Sequence, residues 1–93
     1  GSPAGIQLAL KRIKILVYPN PVTSQLNIYF FDENITNVDL RIIDITGKSV
    51  YKYNDKTIAG QKLAVPAKNL KRGIYFLQID GGEKVFTKKF IKL

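Results

Sequence analysis

The chain has neither cysteine nor histidine among its 93 residues. Without cysteine there is no disulfide framework, no thiolate nucleophile and no thiolate metal site. Export stays open, because a domain can fold without disulfides. Without histidine there is no His-based triad, no His-ligated metal and no imidazole general base. The serines Ser2, Ser24 and Ser49 sit in no nucleophile-elbow pattern, and no glycine-rich phosphate loop precedes a helix. Long apolar runs are also missing. Stretches such as Ile15–Tyr18 fall far short of the roughly 20 residues that a membrane-crossing helix needs. These absences predict a domain that is not an enzyme and needs no cofactor.

Acidic residues are few, 7 against 15 Lys and Arg, for a formal charge of +8. Lys11 and Arg12 supply two of the positives, leaving 13 against 7 from Ile13 onward. An excess of this kind can attract nucleic acid or anionic lipid if it is focused on one face. Here the positives are scattered along the chain, which favours solubility and protection of strand edges by lysine. A hydrophobic fraction of 45% and a charged fraction of 24% are those of a globular protein. Gly1-Ser2 and the Pro3-Ala4-Gly5 stretch read as a cloning remnant and linker, so residues 1–12 are set apart and 13–93 form one domain.

Short β-segments separated by turn signals follow. Seven strands are expected, at 13–18, 25–31, 38–44, 49–53, 61–65, 73–80 and 84–93, with little or no helix. Leu26, Ile28 and Phe30 share one face, while Asn27, Tyr29 and Phe31 share the other. Val38, Leu40 and Ile42 alternate in the same way, as do Tyr75, Leu77 and Ile79. Pro19 and Pro21 stop the first strand because each removes a ladder donor. Gly47 supplies the positive φ of a hairpin turn, and Pro66 closes the short strand at Leu63–Val65. Leu70 is expected to plug the loop before Gly73. Asp80–Glu83 reads as a hairpin turn. In the last strand Phe90 and Ile91 are adjacent, so a bulge near Lys89 is expected to restore alternation. Asp32, Glu33 and Asn34 read as a solvated turn rather than a calcium loop. Asn34-Ile35-Thr36 is an acceptor pattern short enough to arise by chance.

One ordered series stands out. Tyr18-Pro19-Asn20-Pro21 is followed by Leu26-Asn27-Ile28, by Val38, Leu40 and Ile42 running into Asp44-Ile45-Thr46-Gly47-Lys48, by Leu70-x-x-Gly73-Ile74-Tyr75, and by Lys88-Lys89-Phe90-Ile91-Lys92-Leu93. In this order it closely resembles the type A C-terminal sorting domain of the type IX secretion system of Bacteroidota, from about Leu16 to Leu93. The resemblance implies an immunoglobulin-like antiparallel β-sandwich at the C-terminus of an exported cargo protein. It implies passage through the periplasm to the outer-membrane surface or medium, reading by translocon and shuttle components, and frequent removal by a surface signal peptidase of the gingipain-like class.

Pro19, Asn20, Pro21, Gly47, Gly73 and Tyr75 have direct structural explanations at turns and in the core, with Tyr75 suited to a tyrosine corner. Lys88, Lys89, Phe90, Ile91, Lys92 and Leu93 are the candidate recognition residues. The stretch from Lys84 carries four lysines and no acid, so a basic face with a free end is expected. Removing Phe90–Leu93 is expected to harm export more than folding. Strand exchange between two copies is a further expectation, and nucleic acid is not an expected partner. The alternative is an accessory carbohydrate-binding or adhesion-type sandwich, with Tyr29, Phe31, Tyr51 and Tyr53 as candidates for an exposed aromatic platform.

Overall fold

Among the described residues seven strands form: β1 (Ile15–Tyr18), β2 (Gln25–Phe30), β3 (Val38–Asp44), β4 (Ser49–Asp55), β5 (Lys62–Pro66), β6 (Gly73–Asp80) and β7 (Val85–Lys92). The computed structural model describes residues 15–31, 37–56, 62–81 and 85–93. The linker assigned to residues 1–12, the start of the first expected strand, the Asp32–Thr36 turn and acceptor pattern, Gly60, Lys84 and the hairpin tip at Gly82–Glu83 lie outside the described residues.

The strands divide into a three-stranded sheet ordered β1-β2-β5 and a four-stranded sheet ordered β4-β3-β6-β7. Every pairing between these seven strands is antiparallel. Two-residue alternation decides what goes inside. Leu26, Ile28 and Phe30 from β2 meet Leu40, Ile42, Leu77 and Ile79 from the other sheet, all at most 1% exposed. Such a sandwich of three and four strands around one core is immunoglobulin-like.

The boundaries differ from expectation in instructive places. β4 runs two residues further, because Asp55 pairs with Val38 and Asn54 with Asp39, where the Asn54 amide donates to the Asp39 carboxylate. β5 includes Pro66, opposite Gln25. As an edge strand it needs no outward N–H there. The β6–β7 register runs unbroken from Gly73↔Lys92 to Asp80↔Val85. The bulge expected near Lys89 is therefore absent, and Phe90 and Ile91 simply face opposite ways. The irregularity lies instead between Ile42 and Ile43, beside the β3–β4 hairpin.

Candidate functional site

In an antiparallel sandwich each strand crosses the molecule once. The β1–β2, β3–β4 and β5–β6 connections and the end of β7 therefore gather at one end. That end holds Tyr18–Pro21, Asp44–Lys48, Leu70–Tyr75 and Lys88–Leu93, all the turn and terminal pieces of the ordered series. The pieces are far apart in the chain and adjacent in space.

The first piece clasps the last. The Ile91 N–H donates to Asn20 Oδ1 at 3.0 Å, and Asn20 Nδ2 donates to the Lys89 carbonyl at 3.4 Å. Val22 N–H donates to the Ile91 carbonyl at 2.8 Å, and Leu93 N–H to the Val22 carbonyl at 3.0 Å. Val22 is fully buried and bridges Lys92 in parallel. The peptide bonds before Pro19 and Pro21 are both cis. Asn20 thus supplies the donor and acceptor that a neighbouring strand would offer. The outer edge of β7 is covered over Lys89–Leu93, and strand alternation puts the outward groups of Val85 and Thr87 beyond the clasp. The end of β7 is not free, contrary to expectation.

The β5–β6 loop is fastened from two sides. Tyr75, 7% exposed, donates its hydroxyl to the Lys71 carbonyl at 2.7 Å, which is the tyrosine corner anticipated for it. Its ring stacks on Phe90 with centroids 5.7 Å apart. Lys92 Nζ donates to the neighbouring Leu70 carbonyl at 3.0 Å, while Leu70 packs against the core as a plug. Gly73 sits at φ 153° and Gly47 at φ 90°, the latter in the β3–β4 turn as expected. In that turn Asp44 Oδ1 accepts from the Thr46 hydroxyl at 2.6 Å and from the Thr46 and Lys48 N–H groups at 2.9 and 3.0 Å. The Thr46 hydroxyl, chiefly, holds the Asp44 carboxyl below its ordinary value. Burial opposes this, and the Lys48 and Thr46 N–H groups with the Lys48 charge reinforce it.

The six candidate recognition residues separate by face. Phe90 is fully buried and Lys92 is 8% exposed, with its ammonium spent on Leu70. Lys88, Lys89, Ile91 and Leu93 are exposed. Lys88 and Lys89 alternate to opposite faces, so the basic face expected for this strand does not form: a period of two sends adjacent lysines apart. Phe90 also belongs to the core. Removing Phe90–Leu93 would therefore take a core residue with it and burden the fold as well as the end of β7. The sequence reading missed Val22 and the pairing of Asn20 with β7. Counting strand crossings would have placed both ends of the series together.

Other arrangements carry less. Tyr29 and Phe31 stack on each other, centroids 4.5 Å apart at 11°. Tyr51 and Tyr53 stand opposite Ile42 and Leu40, on the inward side of the other sheet. Tyr53 donates to Asp55 Oδ2 at 2.7 Å, which raises its pKa. The four aromatics make no common platform. At the far end a groove of about 800 Å³ is lined by Asp39, Arg41, Lys52 and Asn54 among others. Among the described residues no group of three His, Cys, Asp or Glu could hold a metal ion. The described lysines and arginines occupy both ends and several faces.

Fold and motif-bearing end together define an immunoglobulin-like β-sandwich module. A crystal structure of a DUF3244 family protein with an immunoglobulin-like β-sandwich fold, from Bacteroides vulgatus ATCC 8482, is similar with a TM-score of 0.72. It is 21% identical, and the match covers 85% of this chain and 83% of that one. No curated protein matches the chain. The sequence model of the secretion system C-terminal sorting domain family matches residues 16–93, and the chain belongs to that family. The type IX resemblance of the motif series and the family match cover the same residues. Membership makes the chain a piece of an exported cargo, and a sorting signal is a non-catalytic kind of domain.

Proposed function

We propose that this domain is the address by which the type IX outer-membrane translocon carries a covalently attached, N-terminal cargo to the cell surface or medium. The carrying observation is the family match over residues 16–93. Two features of the sandwich support it. Lys89, Ile91 and Leu93 are exposed at the motif-bearing end. Ile15, through which the preceding chain enters, pairs with Phe30 at the opposite end. A cargo joined there leaves the motif-bearing end accessible. Translocon and shuttle components read the domain, and a surface signal peptidase then removes it. The outward groups of Val85 and Thr87 admit edge-to-edge addition of a second copy, whereas the strand exchange expected from the sequence would first have to break the pairing of β7 with its own β6.

The test fuses residues 13–93 to a periplasm-targeted reporter in a type IX-competent host. The reporter should reach the surface or medium there and stay in the periplasm of a translocon-deficient strain. Periplasmic retention in both strains, or release from both, would overturn the sorting function.

A further inference from the structure

An antiparallel sheet with one face in water should carry apolar residues inside and polar ones outside. Half of the outer face of the four-stranded sheet obeys. Asp39, Arg41, Lys52, Gln78 and Thr87 lie there, joined by the registers Arg41↔Lys52, Arg41↔Gln78 and Gln78↔Thr87. The other half does not. Ile43 stands opposite Phe76, and Ile74 opposite Ile91. Val50 lies at the register shift beside Ile43, whose partner across the pair is Ser49, and its side chain is exposed there. The five form an apolar band across all four strands. Val50, Ile74 and Ile91 are 39%, 42% and 40% exposed, and Ile43 and Phe76 are half-buried.

None of these side chains belongs to the buried cluster between the sheets. A contiguous apolar strip that the core does not use marks an interaction surface. Its border is basic, with exposed Lys48, Arg72 and Lys89 beside it. Among the described residues the carboxylate at that end is Asp44, which faces its own turn and is engaged by Thr46 and Lys48. Asp39 lies four residues along β3 from Ile43, about 13 Å away at strand rise. The band's own field is therefore positive.

We infer that this band docks a protein of the export route whose apolar surface is bordered by carboxylates. The inference rests on the sorting function above. It extends the contact from Ile91 on the C-terminal strand onto β6, β3 and β4. Four of the five side chains are short and β-branched, and none is more than 42% exposed. That shape suits face-to-face protein packing at about 10 Å. It does not suit penetration of a lipid surface, which takes protruding apolar groups about 5–10 Å below the headgroups.

The experiment places Val50→Glu with Ile74→Glu in the fused reporter, both off β7. The control, Gln78→Glu with Thr87→Glu, makes the same charge change on the polar half. Export should fall at least tenfold for the band pair and less than twofold for the control. Val50→Thr with Ile74→Thr keeps strand-compatible shapes. It should lower export severalfold with a melting midpoint within a few degrees of wild type, which separates docking from folding. A photocrosslinker at Ile74 should give an adduct in the competent host that purified wild-type domain competes and the band pair does not. Equal export by the wild type and the threonine pair would overturn the inference while leaving sorting intact. No export of the wild type would instead defeat the sorting function. Band-dependent flotation with anionic phosphatidylglycerol vesicles and no protein adduct would make the occupant a membrane. Loss of a dimer in the threonine pair would make it a second copy. Either result overturns the inference.

Discussion

β2 and β7 are both strands whose inward residues reach the core, yet only β2 alternates cleanly. In β2 each apolar residue at 26, 28 and 30 is fully buried, because this central strand is covered by partners on both edges. In β7 the inward row is Phe86, Lys88, Phe90 and Lys92, and burial deepens only towards the clasped end. Phe90 is fully covered and its neighbour Ile91 is 40% exposed. A central strand is patterned by the sandwich alone. A strand at the edge is patterned also by what borders its end, here Asn20, Val22 and the Leu70 carbonyl.

That contrast can be tested on adjacent residues. Phe90→Ala should cost about 3–5 kcal/mol, the range for truncating a buried aromatic. A domain of this length has a total stability of roughly 5–14 kcal/mol, so the loss is a large share of it. Ile91→Ala should cost under about 1 kcal/mol, as for an exposed site. Urea denaturation of both variants checks the pair, and equal losses would remove the distinction between the two faces of β7.

A smaller effect sharpens the role of the clasp. Asn20→Ala removes the acceptor for the Ile91 N–H and the donor to Lys89. A loss of about 1 kcal/mol is expected for such hydrogen bonds. Amide exchange should accelerate at Ile91 and Leu93 but not at Leu77 in central β6. Uniform acceleration would mean that the clasp is merely part of global stability.

The smallest effect concerns the β3–β4 turn. Asp44 has its carboxyl lowered in the folded state by the Thr46 hydroxyl before all else. A depressed folded value means the contribution is complete above the ordinary value of 3.8 and fades as pH falls through the lowered one. The melting difference between wild type and Asp44→Ala should therefore be constant from pH 5 to 7 and shrink below pH 4. A difference that persists unchanged at pH 2 would assign the effect to turn geometry instead of charge.

Most of the fold was legible because alternation and turn residues are local properties. The period of two at 26–30, 38–42 and 75–79 reports burial directly. Gly47 and the Tyr75 corner follow from backbone requirements within a few residues. What the sequence concealed is non-local. Lys92 reads as a surface cation, and only its distance from Leu70 turns it into a buried donor. Phe90-Ile91 reads as broken alternation, and only the apolar band beside Ile91 explains why no bulge is needed. Asn20 reads as a turn residue, and its partners lie 69 and 71 positions away.

Those separations have a kinetic side. The bonds from Asn20 to Lys89 and Ile91 span 69 and 71 positions of a 93-residue chain. Contacts of such range are among the last a chain can close, since loop entropy grows with the length enclosed. Neither can form on a nascent or clipped polypeptide that lacks one end of the sandwich. The arrangement of Lys89, Ile91 and Leu93 at this end therefore exists only once the whole domain has been made and folded.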